Sequence, residues 1–249
     1  MCLVLFAYLA DARQTLVVAA NRDELYARDA TAAHYWDGEP TVLAGRDLSA
    51  GGTWLGVTTR GRFATVTNFA EAAPAEAPRS RGELTSEFLL SDLACEEYVE
   101  GIEAAAYRGF NLLLWDGQTL MCTSNTGQTQ RLTPGIYGLT NAHFGTQWPK
   151  VARGTGALAT AVEGGASVQD LLALLADDAT PPDDKLPERG RGIEVERALA
   201  SCFIRGEEYG TRASTAVIMN TDEVVFTEQA YGPGGVAGAR RDYRFDLDD

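Results

Sequence analysis

Two apolar runs at the start of the chain constrain the fold more than any other feature. In the first, Cys2, Val4, Phe6 and Tyr8 fall on one face of a strand and Leu3, Leu5, Ala7 and Leu9 on the other. The second, residues 16–24, repeats the pattern with Leu16, Val18 and Ala20 against Val17 and Ala19. A strand wetted on one side alternates apolar and polar residues; one that is apolar on both faces is covered on both. The pair therefore predicts an antiparallel hairpin inside a layered sandwich. If its loop is residues 11–13, Ala10 faces Gln14 and Cys2 stands directly across from Arg22.

That register sets the chemistry. Trimming of Met1 would leave a thiol and a free amine on Cys2, and an α-amine with a pKa of about 7.7 to 8.0 is partly unprotonated at neutral pH. Nucleophile and base then come from one residue. An arginine across from the sulfur favours its thiolate. The alternative is that Cys2 is a small buried hydrophobe at a strand start.

The 249 residues suit one domain, taken as 1–249, and 45% hydrophobic residues indicate an ordinary globular chain. No apolar run approaches the roughly eighteen residues of a membrane span, and the first nine residues lack a basic start and a cleavage site. The expectation is a soluble, cytoplasmic protein. A net charge of −14 argues against nucleic acid as a partner. The only lysines are Lys150 and Lys185, and the 35 acids outnumber 21 basic residues. Such a balance keeps a protein soluble in concentrated salt, which suggests a halophilic source. Cys2, Cys95, Cys122 and Cys202 have no metal or redox spacing, and the last three read as buried free thiols.

Along the chain, residues 27–49, with His34, Tyr35 and Trp36, read as a turn-rich cover across the mouth of a site. Gly51 and Gly52 form a tight turn before a strand at 53–58, which pairs with 62–69. Residues 71–78 read as a surface loop. Helices are expected at 82–90, 96–106, 150–162, 168–176 (capped by Ser167) and 194–203. Strands are expected at 110–116 and 118–124 around Gly117, and at 136–140, 214–220 and 223–229. Residues 177–192, with three prolines, read as a mobile loop, and 231–249 as a glycine-rich, acidic tail.

The polar strand end Asn21-Arg22-Asp23-Glu24 resembles the signature of the NRDE, or transport-and-Golgi-organisation, family. Further similarity runs through residues 50–56, 61–69, 137–141, 148–151 and 210–215, and so spans most of the chain. That family is similar in turn to N-terminal-nucleophile hydrolases of the penicillin V acylase and bile salt hydrolase group. The resemblance implies an α+β, four-layer αββα sandwich of two antiparallel sheets. It implies Cys2 as nucleophile, Asp23 orienting its amine, Asn68 and Asn141 in oxyanion stabilisation or substrate binding, and Arg212 as a second site cation beside Arg22. Each has a plainer reading: a strand-end Asn satisfies a turn, and an Asp beside an Arg is a structural pair. The acylase pattern also sets its Arg and Asp a few residues apart, whereas Arg22 and Asp23 are adjacent. Adjacent strand residues point to opposite faces, so only one faces Cys2 and the other reaches it around the strand end or serves elsewhere.

The function expected is N-terminal-cysteine hydrolysis of a small amide or acyl compound, needing no cofactor. The alternative is a carrier or chaperone for haem or an acyl ligand in the same pocket, since NRDE relatives have been linked to haem handling and to lipid or acyl-thioester metabolism. His143, two residues beyond Asn141, is the candidate haem ligand, although a lone loop histidine is more often structural. Trp36, Trp54 and Trp148 read as core or pocket wall. No metal site is expected.

Overall fold

The computed structural model describes residues 2–9, 13–69 and 77–248. The expected first hairpin turn, the surface loop through residue 76 and Met1 lie outside them. One sheet has the order β10-β1-β2-β11-β12-β13. Its strands are β1 (Cys2–Tyr8), β2 (Leu16–Leu25), β10 (Gly135–Leu139), β11 (Tyr209–Met219), β12 (Glu223–Tyr231) and β13 (Ala237–Asp246). The second runs in chain order through β3 (Ala30–Trp36), β4 (Glu39–Asp47), β5 (Leu55–Thr58), β6 (Phe63–Asn68), β7 (Phe110–Trp115), β8 (Leu120–Ser124) and β9 (Gln130–Arg131). All ladders are antiparallel.

Three apolar clusters define four layers. Val4, Phe6, Val18, Phe63, Leu113 and Phe226 fill the space between the sheets. Leu3, Leu5, Val17 and Ala19, on the other face of the same hairpin, pack under α3 (Pro149–Glu163) and α4 (Val168–Leu175). Ala64, Val66, Leu112 and Leu114 are covered by α1 (Arg81–Leu90) and α2 (Cys95–Glu100). The two-faced apolar reading of the hairpin is thus met by a helical layer on one side and a second sheet on the other. A short α5 (Ile193–Ala198) follows. The result is the αββα sandwich, with β1 and β2 in the middle of one sheet.

Local signals act as the sequence suggests at several points. Cys2 pairs with Arg22 across β1 and β2. Gly51 and Gly52 both have positive φ (70° and 68°), and a Cβ on Gly52 would lie 2.5 Å from the Gly82 backbone. This glycine turn therefore seats the start of α1, where Ser80 and Glu83 form a capping box. Ser167 caps α4 in the same way. Cys95, Cys122 and Cys202 are buried and free, and burial pushes the Cys122 thiol up to about 12.

Other segments differ. Residues 27–49 are a hairpin, β3 and β4, whose Ala33, Trp36, Val42, Leu43 and Ala44 are buried; two irregularities in its register break the alternation that would identify it. The 231–249 tail contains β13, an edge strand. There Tyr243 and Phe245 turn inward to the inter-sheet core, while the intervening charges face solvent and mask the period-two signal. The helix expected at 96–106 stops at Gly101 and resumes as a single 3-10 turn over Ala104–Ala106. The one expected at 194–203 ends at Ala198, leaving residues 199–204 as irregular chain with Ala200, Cys202, Phe203 and Ile204 buried. β11 starts five residues before the expected Ser214 and carries a bulge at Arg212.

Candidate functional site

Cys2 begins β1, so its main chain sits at the open end of the central ladder. Its N–H donates to Asn141 Oδ1 at 2.9 Å. Asn141, two residues past β10, is buried and donates in turn to the Asn68 carbonyl at 2.5 Å. A buried frame holds that amide in place. Asn111 Nδ2 donates to the carbonyls of Thr140 (3.0 Å) and Ala142 (2.9 Å), and Thr67 Oγ1 donates to Thr140 O at 2.7 Å. The end of β10 is thereby fastened to β6 and β7, and both sheets contribute to the position of the Cys2 nitrogen.

Arg22 and Asp23 divide as adjacent strand residues must. Arg22 turns to the inter-sheet side, where its guanidinium lies 4.2 Å from the Trp54 ring centroid. Trp54 can lie there because position 45 is glycine: a Cβ on Gly45 would come within 2.3 Å of the indole. Asp23 turns to the helical side, buried, with Oδ1 accepting from Thr211 Oγ1 at 2.7 Å. Lys150, also buried, lies on that side and donates to the Leu199 and Ser201 carbonyls at 3.1 and 3.4 Å. Asp23 still lines the same recess as Cys2.

The electrostatics keep the expected sign for Arg22 but give burial the larger effect. Burial raises the Cys2 thiol pKa, and the pull of Arg22 toward thiolate does not overcome it. The sulfur therefore depends on a base to become nucleophilic. Burial raises Asp23 as well, against the opposing charge of Lys150 and the Thr211 hydrogen bond, and it lowers Lys150.

Cys2, Arg22, Asp23, Trp54 and Asn68 line one recess of about 500 Å³, along with Arg81 and Arg108. A larger cavity of about 750 Å³ adjoins it, sharing Asn68, Arg81 and Arg108 and adding Asn141, Phe69, Leu199, Ile204 and Tyr209. Asn68 sits at the junction with its side chain exposed. Arg212 is absent from both linings. As the bulged residue of β11 it donates to the carbonyls of Leu25 (3.2 Å) and Arg28, and so braces the turn after β2. His143 packs against Phe69, with ring centroids 4.7 Å apart and planes tilted by 59°, and lines neither cavity. Among the described residues no cluster of three His, Cys, Asp or Glu side chains could hold a metal.

Asn21, although part of the four-residue signature, is structural. It donates to Leu175 O (2.9 Å) and Cys202 O (2.8 Å) and accepts from Ser214 Oγ (2.6 Å). Glu24 Oε1 accepts from the Leu25 N–H, and Glu24 approaches Arg28 at 4.0 Å. Thr211, Lys150, Asn111 and Arg81 belong to the site or its frame without having been singled out in the sequence. Lys150 and Thr211 carried a hint, since they fall in the family-like stretches 148–151 and 210–215, and Lys150 is one of two lysines among 21 basic residues.

Comparison with known proteins bears on the fold and the family. The structure resembles a mutant conjugated bile acid hydrolase from Clostridium perfringens (TM-score 0.54, 10% identity, 99% of this chain and 92% of that one). It also resembles an N-acylethanolamine-hydrolyzing acid amidase ortholog from Caenorhabditis elegans (TM-score 0.53, 10% identity, 87% and 92%). At that identity the likeness shows the N-terminal-nucleophile hydrolase fold. In sequence the chain is 37% identical over 258 residues to a Transport and Golgi organization protein 2 homolog from Bos taurus, covering 92% of this chain and 93% of the relative. A Mus musculus homolog is 33% identical over the same shares. The family model for Transport and Golgi organisation 2 matches residues 1–233, and the chain belongs to that family.

Proposed function

We propose that the protein is an N-terminal-cysteine amidohydrolase acting on a small amide or related acyl compound. One observation carries the reading: Cys2 stands directly across from Arg22 and lines a recess with Arg22, Asp23 and Asn68, while its own nitrogen is held by Asn141. Once Met1 is removed, that nitrogen is an amine within the same residue as the thiol. It takes the thiol proton as the sulfur adds to the carbonyl carbon, and returns a proton to the departing amine. The Asn68 side-chain amide, exposed at the junction of the two cavities, supplies a donor for the oxyanion. Such a donor lowers the barrier by about 3 to 4 kcal/mol. Water then cleaves the thioester and frees the acid. Arg22, held by the Trp54 face, adds a fixed positive charge beside the sulfur.

Cys2→Ala should lower turnover by at least about a thousandfold, as removal of a nucleophile does, and leave the thermal midpoint nearly unchanged. Unaltered turnover rejects the mechanism. The intact mass of natively produced protein should correspond to a chain starting at Cys2; a retained Met1 blocks the base.

The larger cavity, with its apolar wall of Phe69, Val195, Leu199 and Ile204, favours a second reading. This is a carrier that keeps the sandwich and binds haem or an acyl ligand. Spectral titration with haem separates the two, since only the carrier gives saturable binding; because His143 lines neither cavity, binding in the larger one should persist in His143→Ala.

A further inference from the structure

Among the described residues the two sheets present four edge strands, and β13 is the one that is long and regular. β9 has two residues and β10 five, and the register of β3 is broken at two points. β13 has ten residues, and its one irregularity against β12 falls between Ala237 and Arg240. From Arg240 to Asp246 the ladder is unbroken, and the outward backbone groups of those residues meet no further strand. Sheet edges are commonly protected by lysine, proline or a bulge. Residues 240–246 contain neither lysine nor proline. The one charge on their inter-sheet face, Arg241, stands opposite Glu228 of the same chain.

The other face carries an ordered row. Tyr243 and Phe245 take the inter-sheet side, so Arg240, Asp242, Arg244 and Asp246, all exposed, follow one another on the opposite side. Their signs alternate. Two such strands laid antiparallel about Tyr243 therefore set Asp242 of each opposite Arg244 of the other, and Arg240 of each opposite Asp246. A two-fold axis normal to the sheet keeps residues of one face together, which restricts the register to those centred on a residue. Centring on Arg240 or Arg241 puts that arginine against itself, and centring on Asp242 also puts Arg240 against Arg244. Centring on Arg244 puts Asp242 against Asp246. Of the registers centred on residues 240–244, only that at Tyr243 sets no like charges opposite, and it spans the unbroken segment from end to end. Arg240 already pairs with Asp242 in its own strand and Arg244 with Glu223, but such solvent-exposed pairs are weak and leave donors and acceptors free for a second partner.

We propose that β13 pairs with β13 of a second copy of this chain, antiparallel about Tyr243, so that the two sheets become one continuous sheet across a two-fold dimer. Ladder hydrogen bonds supply affinity and the alternating charges select the register. The segment suits self-association of an acidic chain, since its three arginines outnumber its two aspartates where the whole molecule has a net charge of −14. Neither cavity lining includes a residue of β13, so the contact is independent of the reaction at Cys2.

Sedimentation equilibrium of the full-length protein in about 0.15 M salt, from about 1 to about 300 µM, should show the mass rising toward twice that of one chain, which is 26.7 kDa. A protein that stays monomeric over this range overturns the dimer. Arg244→Asp sets aspartates opposite each other twice and should weaken association at least about tenfold. Asp242→Arg/Arg244→Asp restores opposite signs in this register alone and should return the affinity to within about threefold of the parent. Association unaffected by Arg244→Asp, or a folded double variant that stays as weak as the single one, overturns the pairing. If either variant does not fold, amide hydrogen exchange of the parent decides. Residues 240–246 should exchange at least about threefold more slowly at the high concentration than at the low, and rates that do not depend on concentration overturn the contact.

Discussion

At the residue scale, the four-residue signature at the end of β2 separates into parts with different physical tasks. Arg22 and Asp23 point to opposite faces, one to the Cys2 recess and one to a buried polar cluster with Thr211. Asn21 instead satisfies carbonyls from two segments that no strand pairs, Leu175 O and Cys202 O. Asn21→Ala would leave those carbonyls and the Ser214 hydroxyl without their partner in a dry environment, at about 2 to 4 kcal/mol in all. Denaturant unfolding should show this as a lower midpoint, and turnover measured well below that midpoint should change little. A large fall in turnover at unchanged stability would place Asn21 in the chemistry instead. The contrast with Cys2→Ala, which should do the reverse, separates the structural and reactive halves of the site. Cys2, Arg22, Asp23, Asn68 and Asn141 were all legible in the sequence and do converge on one region. Arg212 was equally legible, but a one-residue bulge aims it at the turn after β2. A bulge leaves no local sign when the surrounding residues keep their β character.

At the element scale, close approach decides where α3 sits. A Cβ on Gly154 would fall 2.5 Å from Leu5 Cδ1, and one on Gly138 would fall 2.6 Å from Val151 Cγ1. The helix thus lies directly on β1 and β10, and its N-terminal Lys150 reaches the 199–201 carbonyls beneath the site. Ala for Gly in a helix ordinarily gains up to about 1 kcal/mol. At Gly154 overpacking against fully buried Leu5 costs about 1 to 3 kcal/mol, so the clash prevails. Gly154→Ala should therefore lower the thermal midpoint, whereas Gly156→Ala, with open space at its Cβ, should raise it. If Gly154→Ala also raises it, α3 does not pack as closely as described. The helices and central hairpins could be read from periodicity and caps. β13 could not, because at an edge strand only Tyr243 and Phe245 face the core and the charges between them imitate a solvated tail.

At the scale of the whole molecule, the two sheets are pinned at one edge by Glu228 and Tyr243. Glu228 accepts from the Ala33 N–H at 2.7 Å, and the Tyr243 hydroxyl donates to the Ala33 carbonyl at 2.7 Å. Burial raises the Glu228 pKa. A carboxyl whose pKa is higher folded than unfolded stabilises the fold below its unfolded pKa, near 4.5, and loses that contribution as pH rises through its folded value. Glu228→Gln keeps an acceptor for Ala33 and removes the titration. Its midpoint relative to the parent should thus rise between pH 4 and pH 8, and a difference that is flat in pH would show that Glu228 titrates as it does unfolded. The net charge of −14 acts over the entire surface. Removing salt should lower the midpoint by lengthening the range of repulsion among the acids, and equal stability and activity with and without concentrated salt would end the halophilic interpretation. The layered architecture follows from residues 2–9 and 16–24 alone, because a strand that is apolar on both faces needs a cover on each side. The Cys2–Arg22 pairing follows as well, since a short hairpin loop sets the register of its strands. Only the tertiary structure decided which arginines meet beside Cys2. Arg81 and Arg108 are 27 residues apart in sequence and share no periodic pattern with it, and their proximity comes from where the sandwich places the start of α1 against the strand that begins at Phe110.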